Sequence, residues 1–227
     1  MPTRFSQKTI ERLAPYVPQS TCNPSAKIGT RSLLALLERK YPGTGSDGIS
    51  RACSSGGRSE HKEGRALDWD VNYTNLKQRA QAQAAIAWLL KKDRMGRPYA
   101  NARRLGVMYI IWNGKIWSSD KQQWNAYNGR SAHRDHMHIS LSWAGALAKT
   151  SFWSGKVVNI PVPAPSVTPT AVPTVTPTAT PTVPSGIEGN EGQAVSTPTA
   201  TVSPTGSTST VASSHDQKVP AWWWERE

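Results

Sequence analysis

Cysteines, acidic residues and long apolar runs are all scarce in this chain. Only two of its 227 residues are cysteine, Cys22 and Cys53, which excludes a scaffold held by several disulfides and leaves either one bridge or two free thiols. No run of about 18 apolar residues occurs, so we expect no transmembrane helix. The opening residues MPTRFSQKTIERLAPYV lack the apolar core of a secretory signal, so we expect no such signal here.

The shortage of acidic residues is concentrated in the first part of the chain. Residues 1–160 hold 25 lysines and arginines against 10 acidic residues, whereas residues 161–227 hold two basic and five acidic residues. A domain with a net charge of +15 is attracted to polyanions such as nucleic acid, anionic cell-wall polymers or an acidic membrane surface. The sequence lacks the patterns of RNA-recognition, zinc-finger and helix-turn-helix proteins, which disfavours nucleic acid as the partner.

Composition divides the chain into three segments. Residues 1–160 are predicted to fold, and residues 161–218 are predicted to be a disordered Pro/Thr/Ser-rich linker. Ten of the 54 residues from 161 to 214 are proline, and so few large apolar groups cannot offset the entropy lost on ordering. Residues 219–227 form a tail with three adjacent tryptophans. The tail is either a segment that adheres nonspecifically or a short anchor for a membrane interface, a sugar or a partner protein.

Hydrophobic periodicity predicts both helices and strands in the first segment. Four leucines between residues 33 and 37 give a helix one apolar face, and an Asn-Gly pair at residues 113–114 favours a tight hairpin turn. Helices together with antiparallel strands predict an α+β fold. The predicted elements are helices over residues 30–40 and 76–94 and strands over residues 107–112, 115–117 and 136–142.

Four of the five histidines lie in two short clusters, residues 59–70 and 133–140, that also contain carboxylates. Catalytic zinc sites use three protein ligands and keep one position for water. His61, Asp68 and His138 would supply two imidazoles and one carboxylate, and Asp135 or His136 is available as a general base. The sequence therefore predicts a divalent metal site with an adjacent proton acceptor.

A bridge between Cys22 and Cys53 is the pairing that we predict. It would close a loop of about 30 residues and stabilise the domain by roughly 3–4 kcal/mol in the chain-entropy description. The loop contains the predicted first helix and leads into the first histidine cluster. Two reduced, buried thiols are the alternative.

The first cluster resembles the S-x-H-x-x-G-x-A-x-D signature of the zinc D-alanyl-D-alanine carboxypeptidase family, which includes VanY-like enzymes and phage L-alanyl-D-glutamate endopeptidases. Its matching residues are Ser59, His61, Gly64, Ala66 and Asp68. The resemblance spans about residues 14–154 and is closest to an actinobacterial-type subfamily in which SEHKEGRALDW is typical. It implies the fold of the wider group that contains lysostaphin and sonic hedgehog, a small antiparallel sheet with flanking helices.

The resemblance also implies roles for individual residues. His61, Asp68 and His138 would bind Zn²⁺. Asp135 stands three positions before the last ligand, as in the family's second motif, and would be the general base for a zinc-activated water. His136 stands where related enzymes have a histidine that assists catalysis.

Three further positions are implied near the first motif. Ser59 stands where the carboxypeptidases bind substrate. The family uses an upstream arginine to polarise the scissile carbonyl, and Arg51 and Arg58 are both candidates; we assign that role to Arg51 and substrate binding to Arg58. The phage endopeptidases use Asp where most carboxypeptidases use Glu. Asp135 therefore favours an endopeptidase or requires a deeper pocket, and carboxypeptidase and endopeptidase activity both stay open.

We therefore expect a zinc peptidase that hydrolyses amide bonds in peptidoglycan stem peptides, drawn to the wall by anionic polymers. One alternative is a cell-wall-binding module that keeps the fold without catalysis, and another is a metal-dependent nuclease. We expect a monomer that acts outside the cell or at the cell wall. Release as a phage lysin would explain the lack of a visible signal.

Overall fold

The computed structural model describes residues 9–161, where short strands and helices alternate irregularly along the chain. The strands are β1 (Gly45–Gly48), β2 (Ala66–Asp70), β3 (Val107–Trp112), β4 (Lys115–Ser118), β5 (Gln123–Ala126) and β6 (His136–Leu141). The helices are α1 (Ile28–Lys40), α2 (Leu76–Leu90), α3 (Ala100–Leu105), α4 (Trp143–Ala146) and α5 (Ser151–Ser154), and a 3-10 helix covers Glu60–Glu63. The predicted α+β class is confirmed.

The strands form one sheet in the order β1-β2-β6-β3-β4-β5, with every neighbouring pair antiparallel. β6 comes last in the described chain yet lies in the middle of the sheet, between β2 and β3. Its pairing with β2 sets Asp68 opposite His138. The sheet thus joins the two histidine clusters, which are far apart in sequence.

One face of the sheet carries the main hydrophobic core. Leu67, Trp69 and Met137 are fully buried and pack with the leucines of α1 and the small residues of α2. Because side chains alternate between the faces of a strand, Asp68 and His138 lie on the opposite face. The core therefore supports the two predicted ligands from behind.

Most predicted elements agree with the structure, with small shifts at their ends. The four leucines of α1 are buried, although the helix begins at Ile28 rather than at Thr30. β3 has the predicted bounds, and both turn residues, Asn113 and Gly114, have positive φ angles, as a tight hairpin turn requires. β6 ends at Leu141, one residue before the predicted end.

Helix α2 ends at Leu90, not near Arg94 as the sequence predicted. The carboxylate of Asp93 accepts hydrogen bonds from the backbone N–H groups of Met95 and Arg97, at 2.9 and 3.1 Å. Such a side-chain turn offers the backbone an alternative to helical hydrogen bonds, so the helix stops before it.

The amino-terminal segment is tied to the first histidine cluster. Cys22 and Cys53 form a disulfide, which confirms the predicted pairing. The Glu63 carboxylate accepts hydrogen bonds from the N–H groups of Ser20 and Thr21, at 3.0 and 2.9 Å. These contacts hold the segment before α1 against the 3-10 helix.

The side chain of Arg65, two residues after the end of the 3-10 helix, lies in the interior of the domain. Its side chain is fully buried, and its Nε donates to a Glu63 carboxylate oxygen at 2.6 Å. Its terminal nitrogens donate to the carbonyl oxygens of Val17 and Leu141. The buried guanidinium thus connects the amino-terminal segment to β6.

The predicted linker of residues 161–218 and the predicted tail of residues 219–227 lie outside the described residues, apart from residue 161. Within residues 9–161, no helix has the length and apolar character needed to cross a membrane.

Candidate metal centre

Strand pairing places two of the predicted ligands side by side. Asp68 on β2 and His138 on β6 are direct partners across the sheet, on the face opposite the core. His138 is 6% exposed, so its ring is packed rather than free in solvent. Two hydrogen-bonded strands, β2 and β6, therefore fix the two side chains relative to each other.

The third predicted ligand comes from the 3-10 helix. His61 is 2% exposed, and the helix that carries it ends at Gly64, which has a φ angle of 64°. A Cβ at residue 64 would overlap the carbonyl oxygen of Ser25. Glycine is therefore required for the sharp turn that leads from His61 into β2.

The ligand atoms form a small triangle. His61 Nε2 lies 3.1 Å from His138 Nδ1 and 3.1 Å from an Asp68 carboxylate oxygen, and His138 Nδ1 lies 2.9 Å from the other oxygen. Tetrahedral zinc with bonds of about 2.0–2.1 Å separates its ligand atoms by about 3.3 Å. Among the described residues, these three side chains form the group that could hold a metal ion.

Hydrogen bonds orient both imidazoles. His61 Nδ1 lies 2.8 Å from the carbonyl oxygen of Ile49. A carbonyl only accepts, so Nδ1 carries the proton and the Nε2 lone pair of neutral His61 faces the triangle. His138 Nε2 lies 2.9 Å from the Ser140 hydroxyl, so that the other ring nitrogen, Nδ1, faces the triangle.

The electrostatics also suit a cation. Burial raises the pKa of Asp68, but the close contacts of its carboxylate with the rings of His138 and His61 outweigh burial and hold that pKa well below its ordinary value. Burial lowers the pKa of His138, only partly opposed by Asp68. One carboxylate and two imidazoles are a donor set that zinc prefers.

His136 lies between this triangle and two exposed carboxylates. Its Nε2 is 3.8 Å from Asp68, and its Nδ1 is 2.9 Å from Asp135 and 3.6 Å from Asp47. The Asp135 side chain is 72% exposed. Asp135 therefore approaches the triangle through His136 rather than by direct contact with a ligand.

His133 also lies beside the centre, although the sequence singled it out only as part of its cluster. Its ring centroid lies 4.7 Å from that of His136 and 5.8 Å from that of His138. Its φ angle is 49°, and its Nδ1 donates to the carbonyl of Ser131 at 2.8 Å. Burial lowers the pKa of His133.

The remaining predicted site residues lie on or next to the loop before the 3-10 helix. Arg51 and Arg58 are both exposed there, and neither is part of the triangle. Ser59 is 8% exposed and donates its backbone N–H to the Gln19 side chain at 2.8 Å. The structure thus brings the three predicted ligands and His136 together and leaves both arginines at the surface.

Sequence reasoning missed the groups behind His138. Tyr109 stacks on the His138 ring with centroids 5.4 Å apart and planes 17° apart, and its hydroxyl donates to Glu60. Burial raises the pKa of Tyr109 well above its ordinary value, and Glu60 adds to this, so the phenol stays protonated. Tyr109 is opposite Ser140 across the sheet, and only the strand register reveals that relationship.

A cavity of about 390 Å³ lies elsewhere in the domain. It is lined by Arg12, Leu13, Pro15, Arg103, Ser119, Asp120 and Gln122. None of the metal-centre residues lines it, so this cavity gives no information about what the centre binds.

Comparison with known proteins identifies a family. The family model described as VldE, C-terminal domain, matches residues 22–138. The matched range begins at the first cysteine of the disulfide and ends at the last residue of the triangle. No curated protein and no solved structure matches the chain. The chain therefore belongs to the family of the VldE C-terminal domain.

Proposed function

We propose that the chain is a zinc-dependent peptidase that hydrolyses amide bonds in peptidoglycan stem peptides. The observation that carries this proposal is the triangle of His61 Nε2, Asp68 and His138 Nδ1, with edges of 2.9–3.1 Å. The resemblance of the surrounding motif to the zinc D-alanyl-D-alanine carboxypeptidases supplies the reaction class. The same resemblance supports a hedgehog/DD-peptidase type of fold.

Zinc suits the donor set, because two imidazole nitrogens and one carboxylate are common ligands of catalytic zinc. Bound zinc supplies Lewis acidity, which polarises a carbonyl oxygen and lowers the pKa of a water ligand. His61, Asp68 and His138 would hold the ion, and three protein ligands would leave a coordination position for water or substrate.

Asp135 and His136 are the groups that we assign to proton transfer. Asp135 is the general base and receives the proton of the water by way of His136, whose Nδ1 lies 2.9 Å from the carboxylate. His136 Nε2 faces the Asp68 side of the triangle at 3.8 Å, so the pair can pass a proton between the centre and the surface. The same pair would return the proton to the leaving amine.

The surface of the domain suits a wall substrate. The net charge of residues 1–160 is +15, which attracts the domain to anionic polymers of the cell wall. Arg51 and Arg58 precede the ligand His61 by only a few positions in sequence. Their side chains are exposed and can contact a substrate carbonyl or carboxylate. We propose an extracellular or wall-associated site of action on these grounds.

The test is incubation of the full chain with purified peptidoglycan and defined stem peptides, with zinc or with EDTA, followed by mass spectrometry of the products. We expect EDTA-sensitive cleavage that Asp135→Ala and His136→Ala each reduce by at least about a hundredfold while zinc stays bound. Asp120→Ala, which removes an exposed carboxylate remote from the triangle, should retain full activity. A folded, zinc-loaded chain that cleaves no peptide would refute the peptidase and favour a wall-binding module.

A further inference from the structure

We propose that the cavity of about 390 Å³ lined by Arg12 and Arg103 is a second binding site, which takes a phosphodiester of an anionic wall polymer. This arginine cavity shares no residue with the metal centre, so binding there requires neither zinc nor peptide cleavage. The choice of a wall polymer as the source of the phosphodiester rests on the proposed function at the cell wall.

Three parts of the chain form the cavity and are joined to one another. Arg12 comes from the segment before α1, Arg103 from α3, and Ser119 from the turn between β4 and β5. The Arg103 Nε donates to the carbonyl oxygen of Glu11 at 2.6 Å. The Ser119 hydroxyl donates to the carbonyl oxygen of Ala14. Because these bonds hold the walls together, the cavity is formed before a ligand binds, which lowers the entropic cost of binding.

Neither guanidinium group at the cavity has a carboxylate partner among the described residues. Arg103 is half-buried, and its side chain makes one hydrogen bond within residues 9–161, through Nε, so its terminal nitrogens face other acceptors. Arg12 is exposed, and its side chain has no ion pair or hydrogen bond in the same range. By contrast, Arg97 and Arg104 both lie close to Asp93, at 2.6 and 3.5 Å. The positive charge at the cavity is therefore available to a ligand.

Two guanidinium groups from different elements favour a phosphate group over a carboxylate. A carboxylate accepts hydrogen bonds mainly in its own plane, whereas the oxygens of a tetrahedral phosphate accept from several directions. Arginine suits phosphate because its planar fork of N–H groups can contact two oxygens at once. The exposed side chain of Gln122 lines the same cavity, and its amide can donate a further hydrogen bond.

Asp120 limits the negative charge that the cavity can accommodate. Its exposed carboxylate also lines the cavity but makes no ion pair with Arg12 or Arg103. The carboxylate of Glu11 does not line it, because that group accepts hydrogen bonds from Ser151 at 2.6 and 2.7 Å. Two guanidinium groups and one carboxylate leave a single positive charge. This balance fits the single negative charge of a phosphodiester better than the nearly double charge of a phosphomonoester.

The cavity has room for an organic group beside the phosphate but offers no surface for a nucleobase. Its volume of about 390 Å³ is within the range of small-molecule sites. Leu13 and Pro15 form an apolar part of the wall, against which the carbons of a polyol can lie. No aromatic side chain of the described residues lines it, and proteins bind single-stranded bases by stacking them on aromatic rings. A polyol phosphodiester therefore fits better than a nucleic acid.

The test is calorimetric titration of the full chain, in phosphate-free buffer, with a synthetic glycerol-phosphate oligomer whose units are joined by phosphodiesters. We expect Arg12→Gln and Arg103→Gln each to weaken binding by about tenfold or more, because each removes charged hydrogen bonds. Arg31→Gln is the matched control, since it removes the same charge from an exposed position of α1 outside the cavity. Arg12→Gln breaks no contact within the described residues, so its effect cannot be attributed to misfolding.

Asp120→Asn gives a change of opposite sign. Removing the carboxylate should tighten binding of the oligomer by about two- to fivefold. It should also raise the affinity for glycerol 3-phosphate, a phosphomonoester, more than the affinity for the oligomer. General damage to the fold would weaken binding in all variants and would not produce these gains.

Three results would overturn the proposal. The first is the absence of oligomer binding. The second is equal weakening by Arg12→Gln, Arg103→Gln and Arg31→Gln, which would reduce the effect to net charge. The third is tighter binding of a single-stranded oligonucleotide through Arg12 and Arg103, which would assign the cavity to nucleic acid.

These outcomes are separable from those for the peptidase. Oligomer binding that depends on Arg12 and Arg103, in a chain that cleaves no peptide, would support the arginine cavity and refute the peptidase. Peptide cleavage by a chain that does not bind the oligomer would do the opposite.

Discussion

The Nε2 atom of His61 and the Nδ1 atom of His138 lie 3.1 Å apart, although 77 positions separate the two residues in sequence. One ring comes from a 3-10 helix and the other from the central strand of the sheet. Two ring nitrogens with lone pairs so close repel each other unless a proton or a cation lies between them. The Asp68 carboxylate, within hydrogen-bonding distance of both, adds the negative charge that a cation needs.

Asp68→Asn should abolish tight zinc binding. The amide keeps the size of the side chain but removes its charge, so we expect at least a hundredfold loss of affinity, measured by chelator competition. Asp70→Asn is the control, because Asp70 is on the same strand and face but outside the triangle. Equal affinities for Asp68→Asn and the unmodified chain would contradict the proposed ligand set.

Gly64→Ala should destabilise the domain by about 3 kcal/mol or more, because it adds backbone strain to an overlap with the Ser25 carbonyl. Gly114→Ala has a similar φ angle, 69° against 64°, but open space around its Cβ. It should cost only about 1 kcal/mol. Urea unfolding of both variants gives the comparison, and equal losses would show that the close approach to Ser25 does not matter.

Replacement of both cysteines by serine should lower the free energy of unfolding by about 3–4 kcal/mol, since the bridge spans 31 positions. Thermal unfolding with and without a reductant measures the effect. The reductant should lower the melting temperature of the unmodified chain and leave that of the double variant unchanged. A reductant effect on both proteins would point to a cause other than this bridge.

Stability should fall in acid, in part because of Glu63. Burial alone would raise the pKa of Glu63. Hydrogen bonds from Ser20, Thr21 and Arg65 have the larger, opposite effect, so that the pKa lies below its ordinary value of 4.5. The unfolded chain then binds the proton more tightly than the folded chain, so the stabilisation is complete above about pH 4.5 and is lost as the pH falls through the lower folded value.

Urea unfolding between pH 7 and pH 3 tests this dependence. Glu63→Gln should be less stable at pH 7 and should lose less stability on acidification than the unmodified chain. Parallel pH profiles for the two proteins would assign the acid sensitivity to other carboxylates.

The three ligands were predictable because each lies in a short motif whose residue types suit zinc. The strands that carry long apolar runs, such as Val107–Trp112, were predictable for a similar reason. β1 and β5 were missed because each has only four residues and little apolar character, in the case of β1 the sequence GSDG. Such strands form because a neighbouring strand offers hydrogen bonds, and single-sequence patterns do not reveal that neighbour.

The residues that contact the ligand His138 could not be predicted from the sequence, for a different reason. Tyr109 and Ser140 are neighbours only because β3 pairs with β6 in one register, and a shift of one strand by one residue would place their side chains on opposite faces of the sheet. Their types carry no signal of their own, since tyrosine and serine are common in strands. The position of Asp135 beyond His136 was likewise invisible until the strand end was placed.

The burial of Arg65 sets a limit on how far the domain can be shortened. Its guanidinium and the Glu63 carboxylate take partners from Val17, Ser20 and Thr21, all ahead of the first helix. A chain shortened to begin at α1 would bury the charges of Glu63 and Arg65 without these three partners. The two residues are next to the turn that follows His61. The smallest self-sufficient unit therefore starts before Val17, and a shorter fragment that fails to bind metal would say nothing about the ligands themselves.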